Sequence, residues 1–317
     1  MLNLFTFKEK PKMYNILGIG GSCVVVKDEK SVIKIIPDIE KYNYFLDNTI
    51  DIKKCLKKNI GEKITEYFIF PESFKELKRD FDTDNFLWEN NCNIKNLDYE
   101  NYLVIKLPYY ENSIDCFDYF VKNRKSMDII NLDIVLEDFW SGLEILHENG
   151  IIHNDVKLEN VLLSNENGWK LRIIDFDFSF QIEEANNISY VGTFSLINQT
   201  TGINQETIGI DGMFKKFFRF FKPLYNPYKF SIYISKFQEE LQKMYIENKE
   251  DFYRYNDIFN GIILSLFMIK MNEKNRGINK NVDNKFVKSF LEMVKVDENL
   301  KFMEIFEIKN YLKKMII

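Results

Sequence analysis

Four polar residues of the chain have the side-chain types and the spacing that phosphoryl transfer needs. Asp155 would accept or orient the proton of a substrate hydroxyl, and Lys157 would neutralise charge on the moving phosphoryl group. Asn160 and Asp175 would bind the metal ions that hold nucleotide phosphates. One apolar run follows Asn160 and another precedes Asp175, and both have the composition of buried strands. The pattern therefore favours a phosphotransferase site over an acidic hairpin without chemistry.

The sequence around these residues matches two known signatures. Residues 153–160 read His-Asn-Asp-Val-Lys-Leu-Glu-Asn, and residues 175–177 read Asp-Phe-Asp. They resemble the catalytic loop His-Arg-Asp-x-Lys-x-x-Asn and the metal-binding turn Asp-Phe-Gly of eukaryotic-type protein kinases. The resemblance implies that Asp155 and Lys157 are catalytic and that Asn160 and Asp175 bind metal. The His-Asn-Asp form of the loop also resembles that of kinases from large DNA viruses.

Two positions depart from the kinase pattern. Asn154 replaces the arginine that, in many protein kinases, pairs with a phosphorylated activation loop, so we expect that route of control to be absent. Asp177 replaces the glycine of the metal-binding turn and is expected to stiffen it. Neither change removes a proposed metal ligand.

The N-terminal part contains a glycine-rich hairpin. Residues 17–27 resemble the Gly-x-Gly-x-x-Gly-x-Val loop of protein kinases, which covers the nucleotide phosphates. The resemblance assigns Gly18, Gly20, Gly21, Cys23 and Val25 to nucleotide binding, with Cys23 where the third glycine is usual. Glycines also occur in ordinary hairpins, so the assignment of this loop to nucleotide binding needs the support of the strand that follows it.

A lysine lies among apolar residues in that next strand. Residues 31–36 read Ser-Val-Ile-Lys-Ile-Ile and resemble the Val-Ala-Ile-Lys strand, which implies that Lys34 binds phosphates. The alternative is a lysine on the wet face of an edge strand. The family's lysine pairs with a helical glutamate, and Asp51 is our candidate for that acid, with Glu40 and Glu66 as rivals.

The segment 103–108 resembles the last strand and hinge of the kinase small lobe. The resemblance implies that the backbone of Lys106 and Leu107 hydrogen-bonds an adenine ring. Pro108 lacks a backbone N–H donor, so Leu107 is the better candidate.

The elements that must position these residues follow from hydrophobic periodicity. We predict three strands within residues 13–37, a helix over 39–58, strands over 67–74 and 102–107, and a buried helix over 132–147. Asn149 and Gly150 provide the stop signal of that helix. Residues 257–261 are predicted to begin a helix that anchors the catalytic loop, residues 78–101 form a long connection, and 284–317 form closing helices.

The resemblance implies an α+β fold with two lobes. Residues 1–107 would form a small antiparallel-sheet lobe with one helix, and residues 108–317 a larger, mainly helical lobe. ATP and Mg²⁺ would bind in the cleft between them. The resemblance implies that His153 supports the loop backbone. A metal-binding role is not expected, because the chain has only two histidines and no ligand cluster around them.

Composition agrees with an intracellular enzyme. The chain has 317 residues, of which 45% are hydrophobic, and a formal net charge of -5. That charge argues against a general nucleic-acid binder, which needs a basic surface. The four cysteines show no metal-type pairing, and no apolar run or N-terminal leader predicts a membrane span or export. We expect a cytoplasmic protein, in the host cytoplasm if the chain is viral.

Beyond Asp177 the resemblance becomes weaker. Residues 191–194 resemble the Gly-Thr segment before the substrate-docking region, yet Ile-Asn-Gln at 197–199 stands where Ala-Pro-Glu is expected. Within the divergent segment 200–256, residues 213–222 interleave aromatic and basic side chains. That stretch fits a packed amphipathic helix, a docking insertion for an acidic partner or an interfacial membrane helix.

Three functions remain open at this point. The favoured one is an ATP- and Mg²⁺-dependent kinase that phosphorylates serine or threonine of a protein, because Lys157 is the family's mark of that specificity. A small-molecule kinase of the aminoglycoside or choline type is favoured by Asp177 and the missing Ala-Pro-Glu. A pseudokinase that binds without turnover would have lost Lys34, Asp155, Asn160 or Asp175, and the chain keeps all four.

Overall fold

The structure is a computed structural model, and it describes about two thirds of the chain. The described residues are 15–19, 23–28, 30–37, 39–78, 83–84, 87, 89, 100–122, 130–165, 168–188, 240, 243–275, 289–290, 292–295 and 301–316. They fall into two compact units, the first from Met1–Asp51 and Ile69–Glu111, the second from Ile52–Phe68 and Asn112–Ile317. The predicted α+β, kinase-like fold is confirmed, with antiparallel strands in the first unit and a larger, mainly helical second unit.

The first unit is built on one antiparallel sheet. Its strands are β1 (Asn15–Ile19), β2 (Val24–Asp28), β3 (Ser31–Ile36), β4 (Ser73–Lys78) and β5 (Asn101–Pro108), in the order β1-β2-β3-β5-β4. Helix α1 (Ile39–Ile60) follows β3 and continues into the second unit. The first three strands and the helix lie where the periodicity predicts them.

Apolar side chains pack on both faces of the sheet at β2, β3 and β5, whereas β4 is largely exposed. One face carries a cluster of five buried residues, Val24, Val26, Ile33, Leu87 and Tyr102. The other face packs against α1 through a second cluster, Ile36, Leu46, Leu103 and Ile105. Leu87 comes from the stretch predicted as a plain connection, so that stretch contributes to the core.

The second unit combines helices with short strands. Its helices are α2 (Ile64–Tyr67), α3 (Leu132–Glu148), α4 (Lys249–Asn275) and α5 (Ile305–Ile316), with 3₁₀ turns at Gly61–Lys63, Leu158–Asn160, Phe176–Phe178 and Ile182–Glu184 and a π-helix at Asp118–Lys122. Its strands are β6 (Ser113–Asp115), β7 (Ile151–Ile152), β8 (Val161–Asn165), β9 (Trp169–Ile173) and β10 (Phe180–Gln181). The sheets are β6-β8-β9 and β7-β10, both antiparallel.

Helix α3 begins and ends where the sequence predicts. The Asn131 side chain caps it by accepting the Asp133 N–H at 3.1 Å. Its buried residues recur at helical spacing and form one apolar stripe. The chain leaves the helix through Gly150, whose φ of +67° favours glycine. This exit places β7, and then residue 153, directly after the buried helix.

One predicted strand is wrong. Residues 67–72 do not form a strand, because α2 ends at Tyr67 and β4 starts only at Ser73, so only the last two predicted positions are correct. Phe68 makes an isolated parallel bridge to Ile173 in the second unit. The apolar run there reflects burial of Phe68, Ile69 and Phe70 as the chain passes from one unit to the other, which periodicity cannot distinguish from a strand.

Helix α4 is 27 residues long and buried along most of its length. Even so, among the residues that the structure describes, no helix is long and apolar enough to cross a membrane. The helix crosses α3 closely at Gly261, where an added Cβ would lie 2.9 Å from Trp140 Cη2 and 3.1 Å from Phe139 Cε1. Both rings are fully buried and cannot swing aside.

We therefore predict that Gly261→Ala lowers the free energy of unfolding by about 1 kcal/mol, because overpacking outweighs the gain in helix propensity. Gly142→Ala in α3 is the matched control. Its nearest contact is the end of one side chain, Ile173 Cδ1 at 3.2 Å, which needs to move only slightly. The gain in helix propensity should offset the cost of that shift, so its stability should change by less than about 0.5 kcal/mol. Urea unfolding of both variants measures this, and equal stability of the two would contradict the prediction.

Helix α5 is held on α3 by a cluster of charges. Lys309 Nζ lies 2.5 Å from Glu137 Oε1 and 3.7 Å from Glu144 Oε2, and Lys313 Nζ lies 3.1 Å from Glu137 Oε2. Burial alone would raise the pKa of Glu137, but the hydrogen bonds from Lys309 and Lys313 outweigh it and lower that pKa. The ionised carboxylate is thus favoured in the folded state.

Lys309→Met should lower the free energy of unfolding by about 1 kcal/mol at pH 7. Because the pKa of Glu137 is lower in the folded state, the cluster stabilises the fold above the ordinary glutamate pKa of about 4.3 and loses this effect as pH falls through the folded value. Denaturant unfolding at pH 7, 5 and 3 should show the same difference at pH 7 and pH 5 and a smaller difference at pH 3. Lys243→Met, which removes an exposed pair with Glu247, should change little at any of them.

Candidate active site

A single buried carboxylate fixes the backbone of the predicted catalytic loop. Asp257 of α4 is fully buried and accepts the N–H groups of His153 at 2.7 Å and Asn154 at 2.8 Å. His147, in the last turn of α3, contacts the same carboxylate at 3.3 Å. The predicted anchor is confirmed, although its helix begins earlier, at Lys249.

His153 links the loop to the predicted metal-binding turn, residues 175–177. Its Nδ1 accepts the Asp155 N–H at 3.3 Å, and its Nε2 lies 3.1 Å from the carbonyl of Ile174. A ring nitrogen that accepts an N–H carries a lone pair, so these contacts assign the proton to Nε2, which donates to Ile174. The side chain is fully buried. Its geometry is that of a support for the loop backbone, as predicted.

Two of the candidate residues, Lys157 and Asn160, contact a third, Asp155. Lys157 Nζ lies 2.6 Å from Asp155 Oδ2, and Asn160 Nδ2 donates to the same oxygen at 2.8 Å and to the Asp155 carbonyl at 2.9 Å. Asp155 is 3% exposed, so these bonds act in a poorly solvated setting. The carboxylate is therefore held in one orientation by a cation and an amide.

Asp175 begins this predicted metal-binding turn in a left-handed conformation, with φ 64° and ψ 71°. The 3₁₀ turn Phe176–Phe178 follows directly. The buried Phe176 ring packs edge-on against His153 at 5.1 Å and against Phe68 at 5.9 Å between centroids. Packing on both sides fixes the turn and with it the direction in which Asp175 leaves the strand.

Asp177 is accommodated without strain. The described non-glycine residues with positive φ are Asn112, Asn154 and Asp175, so Asp177 does not need glycine's conformational freedom. The left-handed position of this turn is its first residue rather than its third. The expectation that Asp177 stiffens the turn stays a prediction.

Strand β9, which leads into Asp175, is fixed to α3 by a half-buried acid. Asp138 Oδ2 accepts the N–H of Leu171 at 3.3 Å. Burial raises the pKa of Asp138, and the Leu171 hydrogen bond with the charges of Lys170 and Arg172 offsets only part of this rise. Strand β9 is thus held in place by the hydrogen bond from the buried Leu171 N–H to Asp138, in addition to its pairing with β8.

In the first unit, the predicted nucleotide residues share one row of the sheet. Gly18 pairs with Val25, Val25 with Lys34, and Lys34 with Ile105, across four neighbouring strands. Paired residues point to the same face, so Val25 and Lys34 lie together on the face that packs against α1. Lys34 is 8% exposed, which contradicts a lysine on a wet edge.

The rest of the glycine-rich loop is described only in part. The register shifts between Ile16 and Gly18, which marks a bulge. Cys23 is half-buried and packs against the apolar cluster beside α1. Gly20 and Gly21 lie outside the described residues, and their assignment to nucleotide binding stays a prediction.

The predicted hinge residues form the end of β5. The Lys106 carbonyl accepts the Glu72 N–H at 2.8 Å, and the Lys106 ammonium lies 3.5 Å from the Glu72 carboxylate. Leu107 is half-buried against the cluster beside α1. Because the Lys106 carbonyl already accepts a hydrogen bond from Glu72, Leu107 remains the better candidate for an adenine contact.

Comparison with known proteins places this site in a family context. Residues 93–197 match the protein kinase domain family, a range that contains Asp155, Lys157, Asn160 and Asp175. The resemblance to eukaryotic-type protein kinases is confirmed. The match does not reach the glycine-rich loop or Lys34, whose assignment in this kinase-like chain depends on the motif and on the strand register.

Several relatives carry serine/threonine kinase names. The chain is 29% identical to the meiosis-specific serine/threonine-protein kinase mek1 of Schizosaccharomyces pombe over 37% of the chain and 29% of that protein. It is 29% identical to calcium-dependent protein kinase 4 of Plasmodium falciparum over 54% and 36%, respectively. An Acanthamoeba polyphaga mimivirus protein named for a serine/threonine kinase is 27% identical over 49% and 60%. The chain thus covers less than two thirds of each of these relatives.

Lys34 and the acids predicted to pair with it differ in exposure. Asp51 lies in α1 and is exposed, whereas Lys34 is buried. Glu66 lies in α2, in the other unit, and is exposed, and the Glu40 side chain lies outside the described residues. Asp51 stays a prediction.

Sequence reasoning missed two buried polar residues near the kinase motifs. Arg172 is 6% exposed and donates from Nε to the Thr65 carbonyl at 2.9 Å and from Nη1 to Ser164 Oγ at 2.7 Å. Its signal is a charge inside the apolar run of β9. Ser179 is fully buried and donates from Oγ to the His153 carbonyl at 3.0 Å, and no sequence pattern singles it out.

Other predictions fall outside the described residues. They concern the Gly-Thr segment 191–194, the substitute for Ala-Pro-Glu at 197–199 and the basic-aromatic segment 213–222. Substrate docking and the role of that segment in this kinase-like chain therefore stay predictions.

Proposed function

We propose that the chain is an ATP- and Mg²⁺-dependent protein kinase that transfers the γ-phosphoryl group of ATP to a serine or threonine hydroxyl of a protein. The observation that carries this proposal is the buried cluster at Asp155, where Lys157 and Asn160 both contact one carboxylate oxygen. The matched kinase domain and the names of the relatives support the reaction class.

The residues of the second unit account for the chemistry of transfer. Asp155 orients the acceptor hydroxyl and takes its proton as the oxygen bonds to the γ-phosphorus and the bond to ADP breaks. Lys157, held at 2.6 Å from Asp155, offsets negative charge on the moving phosphoryl group. Because the loop is fixed by Asp257, its residues are already placed before substrate binds, which lowers the entropic cost of reaching the transition state.

The donor atoms fit Mg²⁺. The Asn160 amide uses its nitrogen in the bonds to Asp155, which directs its carbonyl oxygen to other partners. Asp175 supplies a half-buried carboxylate from a turn fixed by Phe176. Asp175 would supply one carboxylate oxygen and Asn160 one amide oxygen to Mg²⁺, and phosphate oxygens and water would be its other ligands. The metal would neutralise phosphate charge.

The first unit would hold the nucleotide. Lys34 would bind phosphates from the sheet row that it shares with Gly18 and Val25, and Leu107 would contact adenine through its backbone. Gly20, Gly21 and Cys23 would cover the phosphates. Burial of Lys34 strengthens its attraction for an anion, because little water screens the charge.

The partner of this kinase would be a protein with a serine or threonine acceptor, in the cytoplasm of the cell or of the host if the chain is viral. Segment 213–222 would dock such a partner if it forms a basic-aromatic surface. The net charge of -5 gives no reason to expect nucleic acid as a partner.

The test is transfer of labelled γ-phosphate from ATP with Mg²⁺ to casein, histone and myelin basic protein, beside a panel of amino alcohols and aminoglycosides. We expect label on serine or threonine of protein and none on the small molecules. Label on the small molecules alone would replace the proposal with a small-molecule kinase. Nucleotide binding without any transfer would indicate a pseudokinase.

Two variants ensure that the label comes from this site. Lys34→Met should weaken ATP binding, because it removes a buried cation, and Asp175→Asn should remove the Mg²⁺ dependence of binding. Transfer should vanish in both. Label that persists in both variants would mean that a contaminating kinase produced it.

A further inference from the structure

Two side chains connect the catalytic loop and the metal-binding turn in a reciprocal way. Asn154 Nδ2, from the loop, donates to the carbonyl of Phe178 in the turn at 3.3 Å. Ser179 Oγ, from just after the turn, donates to the carbonyl of His153 in the loop at 3.0 Å. Each segment thus has one side chain that donates a hydrogen bond to a backbone carbonyl of the other. We call Asn154 and Ser179 the clamp.

The clamp lies at one end of a short ladder. Strands β7 and β10 pair through Ile152 with Phe180 and Ile151 with Gln181, and the Ile182 N–H donates to the Gly150 carbonyl at 2.7 Å. This ladder continues away from the site. On the side toward Asp155 and Asp175, the side-chain bonds of the clamp take over from the backbone pairing.

Asn154 suits both demands of its position. Its φ of +63° is costly for most side chains, but asparagine tolerates it. Its side chain is 1% exposed, so the bond to Phe178 is made away from competing water. Among the described residues its Oδ1 has no hydrogen-bond partner, so the bonding found there is through the Nδ2 donor. The buried Asn154 amide is thus used for one hydrogen bond, from Nδ2 to the Phe178 carbonyl of the metal-binding turn.

Ser179 is also placed for one contact. Ser179 is 0% exposed, and its hydroxyl donates to the carbonyl of His153. The N–H of the same residue, His153, donates to Asp257. Both bonds of the clamp are between neutral groups. They hold the turn on the loop without a charged or phosphorylated residue.

We propose that the clamp is a positioning device that fixes Asp155 relative to Asp175 during the chemical step. This inference rests on the proposed kinase function. Losing a clamp bond leaves a buried carbonyl without its donor and lets the turn drift on the loop. In the proposed function most nucleotide contacts come from the first unit, and Asp175 keeps its carboxylate when the turn drifts, so ground-state binding of ATP should change little. Transfer requires the alignment of Asp155 with Asp175, so the effect falls mainly on kcat rather than on KM.

The kinetic test uses Asn154→Gly, Ser179→Ala and the double variant. Glycine keeps the left-handed backbone at 154 and removes only the amide. We expect each single variant to lower kcat about tenfold, with the KM for ATP changed less than about twofold. Because the two bonds hold the same contact, the double variant should lose much less than the product of the single losses.

The matched control is Ser265→Ala. Ser265 is also fully buried and makes one buried hydrogen bond, from Trp140 Nε1 at 3.0 Å, but it lies outside the catalytic loop and the metal-binding turn. It should lower thermal stability about as much as Ser179→Ala and leave kcat unchanged. If kcat of Asn154→Gly and Ser179→Ala matches that of Ser265→Ala, the clamp does not position the reaction.

A second readout separates the clamp from the kinase proposal. Amide hydrogen exchange over residues 174–182 should be faster in Asn154→Gly and Ser179→Ala than in wild type and Ser265→Ala, whether or not the protein transfers phosphate. A wild type without transfer but with this exchange pattern overturns the kinase function and keeps the clamp contact. Unchanged exchange in both variants overturns the clamp.

Discussion

Replacing Asp257 with alanine is expected to abolish phosphoryl transfer and to lower the free energy of unfolding by about 3–5 kcal/mol. Alanine leaves the N–H groups of His153 and Asn154 buried without their acceptor, and it removes the carboxylate that contacts His147. Each buried donor left unsatisfied costs about 1–3 kcal/mol. The catalytic loop would lose the contact that fixes its backbone.

Urea unfolding and steady-state kinetics on the folded fraction measure both parts of this result. Asp257→Asn is the graded control, because an amide of the same shape has one acceptor oxygen where the carboxylate has two. It should keep one of the two backbone bonds and fall between wild type and alanine in stability and in kcat. Wild-type kcat in Asp257→Ala would show that the loop is fixed by other contacts.

Asp155→Asn should lower kcat by about 10²–10⁴-fold, with little change in stability or in the affinity for ATP. Asparagine has the shape of aspartate and still offers an oxygen to Lys157 and Asn160, but it cannot take up the proton of an acceptor hydroxyl. The expected loss therefore isolates proton transfer from the positions of its neighbours. Single-turnover kinetics and nucleotide binding by calorimetry measure the two parts.

Lys157→Met gives the comparison. It removes the cation at 2.6 Å from Asp155 and leaves the carboxylate, so kcat should fall by about 10²-fold. A drop in Asp155→Asn no larger than that of a surface substitution would mean that Asp155 is not the base. A loss of ATP binding in Asp155→Asn would mean instead that the residue supports the fold of the site.

The sequence predicts the local parts of the fold and site well, because they depend on short-range patterns. The strand of Lys34, the cap and stop of α3 and the spacing of Asp155, Lys157 and Asn160 are all encoded within a few neighbouring residues. Periodicity and turn chemistry are sufficient to predict such features. The kinase resemblance then supplies their order.

The features that sequence reasoning missed depend on distant contacts. Phe68 does not lie in the predicted strand but makes a backbone bridge to Ile173. Leu87 is buried because it packs on one face of the sheet. Ser179 matters only through a carbonyl 26 positions away. A single sequence gives no sign of such pairings, since any serine or leucine fits the local pattern.

The origin of the second unit in two stretches of chain, Ile52–Phe68 and Asn112–Ile317, has a consequence for how the protein can form. The bond from Arg172 to Thr65 spans 107 positions, and closing so long a loop is entropically costly. On the ribosome, residues 52–68 are made first but cannot dock until β9 has emerged. A fragment that starts at Asn112 would expose Phe176 where Phe68 belongs and should aggregate rather than fold.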